Sequence, residues 1–286
     1  KSLEKYVSKI SKKKNISFLH CVTDYPVKPD EANLRSILFL KKKLKIEIGY
    51  SDHTLGIAAP ILATSYGVNI LEKHFTKGLA SFIEKKMNKS MQEIMKKCEI
   101  VILPEIGDAQ DNIRRVGPIV RQTDYTREQL REKFSFDKKT IVISIGGTDA
   151  GLFLIEKALE AISKINQDVE VVLVSGQSVQ KKYENVKNLG FVENLHEIIF
   201  AADVLISLAG KSTIDEANAY GTPAIFIPIK GHFEQEDNAK EQGFVFEDIN
   251  RLDKLIISKL EEKRNQVNTE GTKKAAKIIQ SLIDNY

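Results

Sequence analysis

Two segments of this chain share a pattern that restricts the fold: an apolar run breaks into small residues, and a helical pattern follows at once. Residues 144–151 read SIGGTDAG after one apolar run, and residues 207–216 read SLAGKSTIDE after another. Each is predicted to be a buried strand that turns into a helix. The first N–H groups of a helix have no partner within it and lie at the positive end of its dipole, so each segment suits a diphosphate.

Strand and helix patterns alternate regularly from residue 138 onward. We expect strands over residues 140–145, 169–174, 203–207, 224–227 and 243–246, with helices over 151–165, 195–201, 213–219, 235–241, 250–263 and 272–283. A strand over 99–103 and an amphipathic helix over 126–134 precede them. Such alternation predicts an α/β fold with a doubly wound, Rossmann-like parallel sheet, whose ligands bind at the carboxyl ends of the strands.

The N-terminal part also alternates, with strands expected over residues 16–22, 46–49 and 68–71 and helices over 31–43 and 56–66. Three strands are too few to bury both faces of a parallel sheet. A basic, Met-containing helical stretch over 77–97 follows, and we place a boundary near residue 90. The predicted organisation is therefore a segment over 1–77, a connector over 78–98 and a domain over 99–286.

Composition excludes several classes of function. The net charge is only +4, so the lysine runs at 12–14 and 41–43 are interpreted as solvated helix faces rather than a nucleic-acid surface. No run of about 18 apolar residues predicts a membrane span. No signal-peptide pattern is visible, although the chain opens on Lys1. Two cysteines, Cys21 and Cys98, give no disulfide framework or metal cluster, and a cytoplasmic location is expected.

Familiar phosphate-loop motifs are not met in either small-residue segment. The first has the spacing GGxxxG rather than GxGxxG, so a tight strand-to-helix turn is an alternative interpretation. The second resembles a P-loop around Lys211, but Leu205 occupies the position of the required glycine. We expect Ser212 or Thr213 to cap a helix here. Glu216 would then present a carboxylate to two ribose hydroxyls, unless it serves only the helix start.

A polar loop, GHFEQEDN at residues 231–238, follows the strand that ends at Pro228. Gln235 and Asn238 can hydrogen-bond sugar hydroxyls from this position. The alternative is ordinary helix-start chemistry, because acidic residues favour the first turn.

Residues 99–286 resemble the C-terminal, nucleotide-sugar-binding domain of family-28-type glycosyltransferases, which include the bacterial enzyme that adds N-acetylglucosamine to lipid I and archaeal relatives. The matching pieces, in family order, are VGPI at 116–119, SIGGT at 144–148, GFVENL at 190–195, ADVLIS at 202–207, GKSTIDE at 210–216, GTPA at 221–224, and Gln235 with Asn238 and Ala239. The resemblance implies the donor half of a two-domain GT-B fold.

What the resemblance implies for the site is a set of donor contacts. The implied contacts to the diphosphate come from Gly146, Gly147 and Thr148 and from the helix start at Gly210, Lys211, Ser212 and Thr213. Glu216 would bind the ribose, and Gln235 and Asn238 would bind the sugar. The backbone at Phe191 and Val192 would contact the edge of the base. The implied donor is a UDP-sugar, UDP-N-acetylglucosamine in the first place, and no cofactor is needed. Only the last strand of an acceptor domain (99–105) is recognised, so the catalytic residues stay unknown.

Polar and ionisable residues close each N-terminal strand: HCVTDYP at 20–26, GYSDHT at 49–54 and EKHF at 72–75. Such clustering at the ends of parallel strands is typical of a barrel active site. His53 and His74 could ligate one divalent metal with Glu72 or Ser51 nearby. The alternative is that the two histidines are unrelated.

These three segments resemble the sialic acid synthase family, which condenses phosphoenolpyruvate with an N-acetylated amino sugar in a TIM barrel. The match runs from Phe18 to Thr76. The resemblance implies that His53 and His74 hold manganese or magnesium, that Tyr25 and Ser51 meet substrate, and that Glu72 lies in the sugar site. It covers about the last three of the eight βα units, a partial TIM-barrel segment that cannot close its sheet.

Three functions follow from these observations. The first is a glycosyltransferase donor domain acting in cell-surface glycan biosynthesis, with a lipid-linked or sugar acceptor, in the cytoplasm or at the inner membrane surface. The second is an N-acylneuraminate-type condensing enzyme. The third is a non-catalytic nucleotide-sugar-binding module whose acceptor domain comes from a partner chain.

Overall fold

The computed structural model describes residues 17–23, 26–73, 89, 92–93, 95–146, 149–176, 183–265 and 270–284. The chain divides into two compact units, Lys1–Lys97 and Cys98–Tyr286. Four residues with predicted roles, Tyr25, His74, Gly147 and Thr148, lie outside the described residues. Most of the predicted connector lies outside them as well.

The first unit contains a three-stranded parallel sheet in the order β1-β2-β3. Its elements are β1 (Ser17–Cys21), α1 (Arg35–Leu44), β2 (Glu47–Asp52), α2 (Ala58–Ser65) and β3 (Leu71–Lys73). A small core of Ile37, Ile48, Tyr50, Ala63 and Val68 holds the helices to the sheet. The third strand was predicted too early, because the amide of Val68 bonds to Ala63 at the end of α2 instead of joining the sheet.

The second unit begins with a small parallel pair and a capped helix. β4 (Val101–Leu103) pairs with β5 (Ile113–Arg115), and α3 (Arg127–Phe134) follows. Thr126 and Gln129 form a reciprocal capping box at the start of α3, which confirms the helix predicted over 126–134. β5 was not predicted, since its sequence Ile-Arg-Arg lacks the apolar alternation of a strand.

A five-stranded parallel sheet forms the centre of the second unit. Its strands are β6 (Lys139–Ser144), β7 (Val169–Val174), β8 (Val186–Gly190), β9 (Val204–Leu208) and β10 (Ala224–Ile227), arranged β10-β9-β6-β7-β8. The chain order therefore reverses between β6 and β9. In doubly wound sheets this switch point opens a crevice at the carboxyl ends of the strands, where ligands bind.

Six helices accompany the sheet along the described chain: α4 (Leu152–Ile162), α5 (Leu195–Ala201), α6 (Lys211–Tyr220), α7 (Phe233–Glu241), α8 (Leu252–Glu261) and α9 (Gly271–Asp284). β9 and β10 are buried along their whole length, which explains why these strands are continuous apolar runs in the sequence. One large core of apolar residues from sheet and helices results.

Besides the missed β5, two further errors of the sequence analysis concern this unit. The strand expected over 243–246 does not form: Gly243 turns with φ +81°, and Phe246–Arg251 is a 3-10 helix. Phe244 is nevertheless buried, so its apolar character reflects core packing. β8 was missed because its sequence VKNLG is only half-buried and weakly patterned. Within the described ranges, every helix is too short or too polar to cross a lipid bilayer.

Candidate functional site

The two small-residue loops leave adjacent strands at the switch point. Ser144 of β6 lies beside Ser207 of β9, so residues 145–151 and 209–210 begin at the same sheet edge. Gly146 has φ +74°, and a Cβ added there would have no described atom within 4 Å. Gly151 differs, because a Cβ would lie 2.6 Å from the Cβ of Ile145. Gly151 is therefore needed for packing, whereas Gly146 leaves its backbone open to close approach.

Helix α6 begins at this edge with an open N-terminus. Its N-cap is Gly210 (φ −74°, ψ 132°), and no side chain in the described part of the molecule caps it. The expected cap by Ser212 or Thr213 was wrong, because Lys211 already lies in the helix and both residues fall in its first turn. A Cβ on Gly210 would meet no described atom within 4 Å. The described residues therefore leave the space beside Gly210 open, at the start of the first turn, where helical N–H groups have no partner within the helix.

Lys211 does not belong to a phosphate-wrapping loop in this geometry. Its ammonium pairs with Asp215 one turn further along the same helix, and the side chain is half-exposed. Leu205 is buried within β9, where it is in register with Val142 of β6 and Ala224 of β10. A regular strand thus occupies the position where a P-loop needs a flexible glycine turn.

Glu216 lies in the second turn of α6 and is only 4% exposed. Arg121 Nε donates to its Oε1 at 2.8 Å, and Nη2 donates to Oε2 at 3.4 Å. Arg121 Nη1 also donates to the backbone oxygen of Glu193, at 2.8 Å. Sequence reasoning missed Arg121. The matched motif at 116–119 stops two residues before it, and the segment has no regular periodicity.

Two neutral rings support the segment that carries Arg121. Tyr220 of α6 donates its hydroxyl to the backbone oxygen of Arg121 at 2.7 Å, and burial raises the pKa of Tyr220 to about 12. His196 of α5 stacks on Tyr220 with ring centroids 6.5 Å apart. Burial, and then the positive charge of Arg121, lower the pKa of His196. Both rings are therefore uncharged near neutral pH, which leaves Glu216 and Arg121 as a charge pair.

Asn238 of α7 lies beside the loop that precedes α6, and Gln235, one turn earlier in α7, lies beside the loop that follows β10. Gln235 Oε1 accepts from the backbone N–H of Ile229 at 3.1 Å, and Asn238 Nδ2 donates to the oxygen of Ala209 at 3.1 Å. His232 caps α7 by accepting from the N–H of Gln235. Asn238 therefore joins α7 directly to the loop that precedes α6.

The loop after β8 contains Phe191 and Val192. Phe191 is 61% exposed, and the partly buried Val192 packs against the main core. Arg121 connects this loop to Glu216 through its bond to the oxygen of Glu193. The structure thus brings together Gly146, Gly210, Lys211, Ser212, Thr213, Glu216, Gln235 and Asn238 along the switch-point edge, and links Phe191 and Val192 to them through Arg121.

In the first unit, two predicted residues lie next to each other. The hydroxyl of Ser51 donates to Glu72, across the pair β2–β3. His53 is buried, with Nδ1 2.7 Å from the oxygen of Val22 and 4.0 Å from the sulfur of Cys21. Across the described residues, no group of three or more His, Cys, Asp or Glu side chains could hold a metal ion. Because His74 lies outside those residues, the histidine pair remains a prediction.

A buried charge network that sequence reasoning missed joins the ends of β2 and β3. Lys73 Nζ lies 2.6 Å from Asp52 Oδ2 and also donates to the oxygen of Thr54. Asp52 Oδ1 accepts from the Tyr50 hydroxyl and the Thr54 N–H, both at 2.9 Å. Burial and the hydrogen bond to Asp52 raise the pKa of Tyr50. Every oxygen of the buried carboxylate is thereby satisfied, as such groups require.

The model of the glycosyltransferase family 28 C-terminal domain matches residues 140–284, just over half of the chain. The chain belongs to this family. The matched range contains the switch-point site from β6 to α9. An uncharacterized glycosyltransferase of Methanosarcina acetivorans is 26% identical over 234 residues, which cover 73% of this chain and 62% of that protein.

The first unit is similar to a different family. The NeuB family model matches residues 1–96. An N,N'-diacetyllegionaminic acid synthase of Campylobacter jejuni is 46% identical over 66 residues, 23% of this chain and 20% of that synthase. This chain therefore spans about a fifth of the length of that synthase and less than two thirds of the length of the Methanosarcina acetivorans glycosyltransferase.

Solved structures show the same fold as this chain at low identity. A glycosyltransferase of kitacinnamycin has a TM-score of 0.54 and 13% identity, covering 91% of this chain and 87% of that one. A spinosyn rhamnosyltransferase complexed with thymidine diphosphate has a TM-score of 0.50 and 14% identity, covering 99% and 76%. The fold is thus α/β with parallel sheets, like that of GT-B glycosyltransferases, as the sequence predicted for residues 99–286; the partial TIM-barrel segment stays a prediction.

Proposed function

We propose that the second unit binds a nucleoside diphosphate sugar, UDP-N-acetylglucosamine in the first place, as the donor for hexosyl transfer in cell-surface glycan biosynthesis. The observation that carries the proposal is the open N-terminus of α6 at the switch point, with the buried carboxylate of Glu216 on the same helix. A helix N-terminus attracts the diphosphate, and a carboxylate accepts hydrogen bonds from two ribose hydroxyls.

The remaining donor contacts follow from the positions along the sheet edge. Gly146 offers open backbone to the diphosphate from the loop after β6. We assign the sugar to Gln235 and Asn238, whose side-chain amides already hydrogen-bond to the backbone of Ile229 and Ala209. Backbone at Phe191 and Val192 would meet the base. The nucleoside diphosphate in the spinosyn rhamnosyltransferase structure supports a diphosphate ligand for this fold.

Binding of a ribose to Glu216 requires Arg121 to break one or both of its hydrogen bonds to that carboxylate or to share the oxygens with the ribose hydroxyls, since its guanidinium contacts both oxygens. The side chain of Arg121 is half-exposed, so part of its hydration is retained while it moves. The pair keeps a buried carboxylate from being left unpaired in the free protein, which would be costly.

During transfer, the bond between sugar C1 and the diphosphate oxygen breaks and a bond from an acceptor hydroxyl oxygen to C1 forms. The N-terminus of α6 stabilises the negative charge that builds on the departing diphosphate. The acceptor, a lipid-linked molecule or a sugar, gives up its hydroxyl proton to a base outside the described donor site. We place that base on an acceptor domain, from a longer form of this protein or a partner chain, at work in the cytoplasm or at the inner membrane surface.

Calorimetric titration of the full chain with UDP-N-acetylglucosamine tests the proposal, with GDP-mannose as the comparison ligand. We expect saturable heat with the uridine nucleotide and competition by free UDP. Absence of saturable heat with every nucleotide sugar tried would overturn the donor-site assignment. Turnover with added acceptors then separates an enzyme from a module that only binds.

The match of residues 1–96 to the NeuB family favours a second candidate function, a synthase-like condensation using phosphoenolpyruvate and a divalent metal. Ser51 pairs with Glu72, and Asp52 pairs with Lys73, at the carboxyl ends of β2 and β3, which is the edge of the sheet where a barrel site would lie. His53 is the metal ligand that the described residues offer, so manganese or magnesium would depend on His74. Formation of an N-acylneuraminate from phosphoenolpyruvate by the full chain is the test.

A further inference from the structure

A buried hydroxyl at the switch-point edge has no hydrogen-bond partner among the residues that the structure describes. Ser175 directly follows β7 and is 2% exposed. Within the described chain, its backbone N–H bonds to the oxygen of Gly190 at 3.1 Å, but its side-chain Oγ has no hydrogen-bond partner. An unpaired hydroxyl of this kind lowers stability, and most buried polar groups in proteins are paired.

The place of Ser175 in the sheet is informative. β7 lies between β6 and β8, so Ser175 lies between the loop that contains Gly146 and the loop that begins at Phe191. The amide of Ile145 still bonds to the oxygen of Val174 at 3.4 Å, which keeps the first loop next to the end of β7. Under the proposed function, the first loop holds the diphosphate and the second meets the base.

We propose that the Ser175 hydroxyl is a donor-site contact that hydrogen-bonds the nucleoside part of the bound nucleotide sugar. The inference rests on the proposed function and adds a residue to that site. A serine hydroxyl both donates and accepts, so it suits the mixed donors and acceptors of a nucleoside. The ligand supplies the missing hydrogen bond, which explains why a costly unpaired group is kept at this position.

Ser175→Ala in the full chain tests the proposal through two readouts of opposite sign. The Tm of the free protein should rise by about 2–4 °C, because an unpaired buried hydroxyl is removed. The affinity for UDP, measured by calorimetry, should fall about five- to ten-fold, the loss expected from one neutral hydrogen bond. Ser175→Cys, which keeps the shape and a weak donor, should give an intermediate affinity.

The matched control is Thr222→Val. The Thr222 hydroxyl is also buried, but it donates to Ile199 and accepts from Arg264 at the start of β10, at the opposite edge of the sheet. Its loss should lower the Tm and leave UDP affinity unchanged.

Each outcome decides between the two claims. If the unchanged chain binds UDP and Ser175→Ala binds it equally well, the Ser175 assignment is wrong and the donor site stands. A fall in both Tm and affinity would also overturn the assignment, since it marks a structural role. If the unchanged chain does not bind UDP, the proposed function fails, and this inference fails with it.

Discussion

Replacing Gly210 with serine should make the protein more stable and its nucleotide binding weaker. Gly210 is the N-cap of α6, with extended dihedral angles that serine adopts without strain, and a Cβ there meets no described atom within 4 Å. A serine oxygen would accept from the N–H of Ser212 or Thr213. Serine exceeds glycine at this position by a few tenths of a kcal/mol, so the Tm should rise by about 1 °C.

The same oxygen competes with the diphosphate for those N–H groups. A hydrogen bond to a charged acceptor contributes about 1.5–3 kcal/mol, so UDP affinity should fall roughly ten- to hundred-fold in calorimetric titration.

The control is Gly243→Ala, at a turn after α7 with φ +81°. Because α7 leaves the carboxyl edge of the sheet, its far end is remote from the site. That variant should lose about 1–2 kcal/mol of stability and keep its affinity. Unchanged UDP affinity in Gly210→Ser would refute diphosphate binding at α6.

Three further outcomes are expected. Glu216→Ala should lower UDP affinity by roughly ten- to hundred-fold, because hydrogen bonds to a charged acceptor contribute about 1.5–3 kcal/mol, and Glu216→Gln should lose less affinity. If both variants bind UDP as tightly as the unchanged chain, other residues bind the ribose. Lys211→Ala should weaken binding only a few-fold, because its ammonium already pairs with Asp215; magnesium-dependent ATP hydrolysis lost in this variant would contradict that interpretation. Purified chain should retain little or no manganese by metal analysis, because two imidazoles alone would bind a divalent ion weakly; imidazoles more than about 10 Å apart would remove the predicted pair of His53 and His74 altogether.

The sequence was most informative where strands are buried on both faces. β6, β7, β9 and β10 were each predicted within one or two residues, because short continuous apolar runs between small residues are typical of buried parallel strands. β5 and β8 were missed, since short, half-buried strands have no such pattern. Residues 243–246 were mistaken for a strand because burial of Phe244 and a strand's apolar run look alike in sequence.

The site was predictable as far as local chemistry determines it. Residues 144–151 and 207–216 do leave adjacent strands at one edge, as alternation and parallel pairing predict. The cap was misplaced by two or three residues, since the N-cap of α6 is Gly210 rather than Ser212 or Thr213. Arg121 could not be found, because its contact with Glu216 joins positions 95 residues apart in an irregular segment. Ser175 likewise could not be identified from sequence, because its burial and its position in the strand order are what mark it as a candidate site residue.

The most direct test of the donor site is an NMR titration of the isotope-labelled full chain with UDP, following the backbone amide signals. We predict that the largest saturable shifts occur at Lys211, Ser212 and Thr213, with a smaller shift at Gly146, because these N–H groups contact the diphosphate. Saturable binding that leaves these four amides unmoved, or no binding at all, would contradict the central claim that the start of α6 holds the donor.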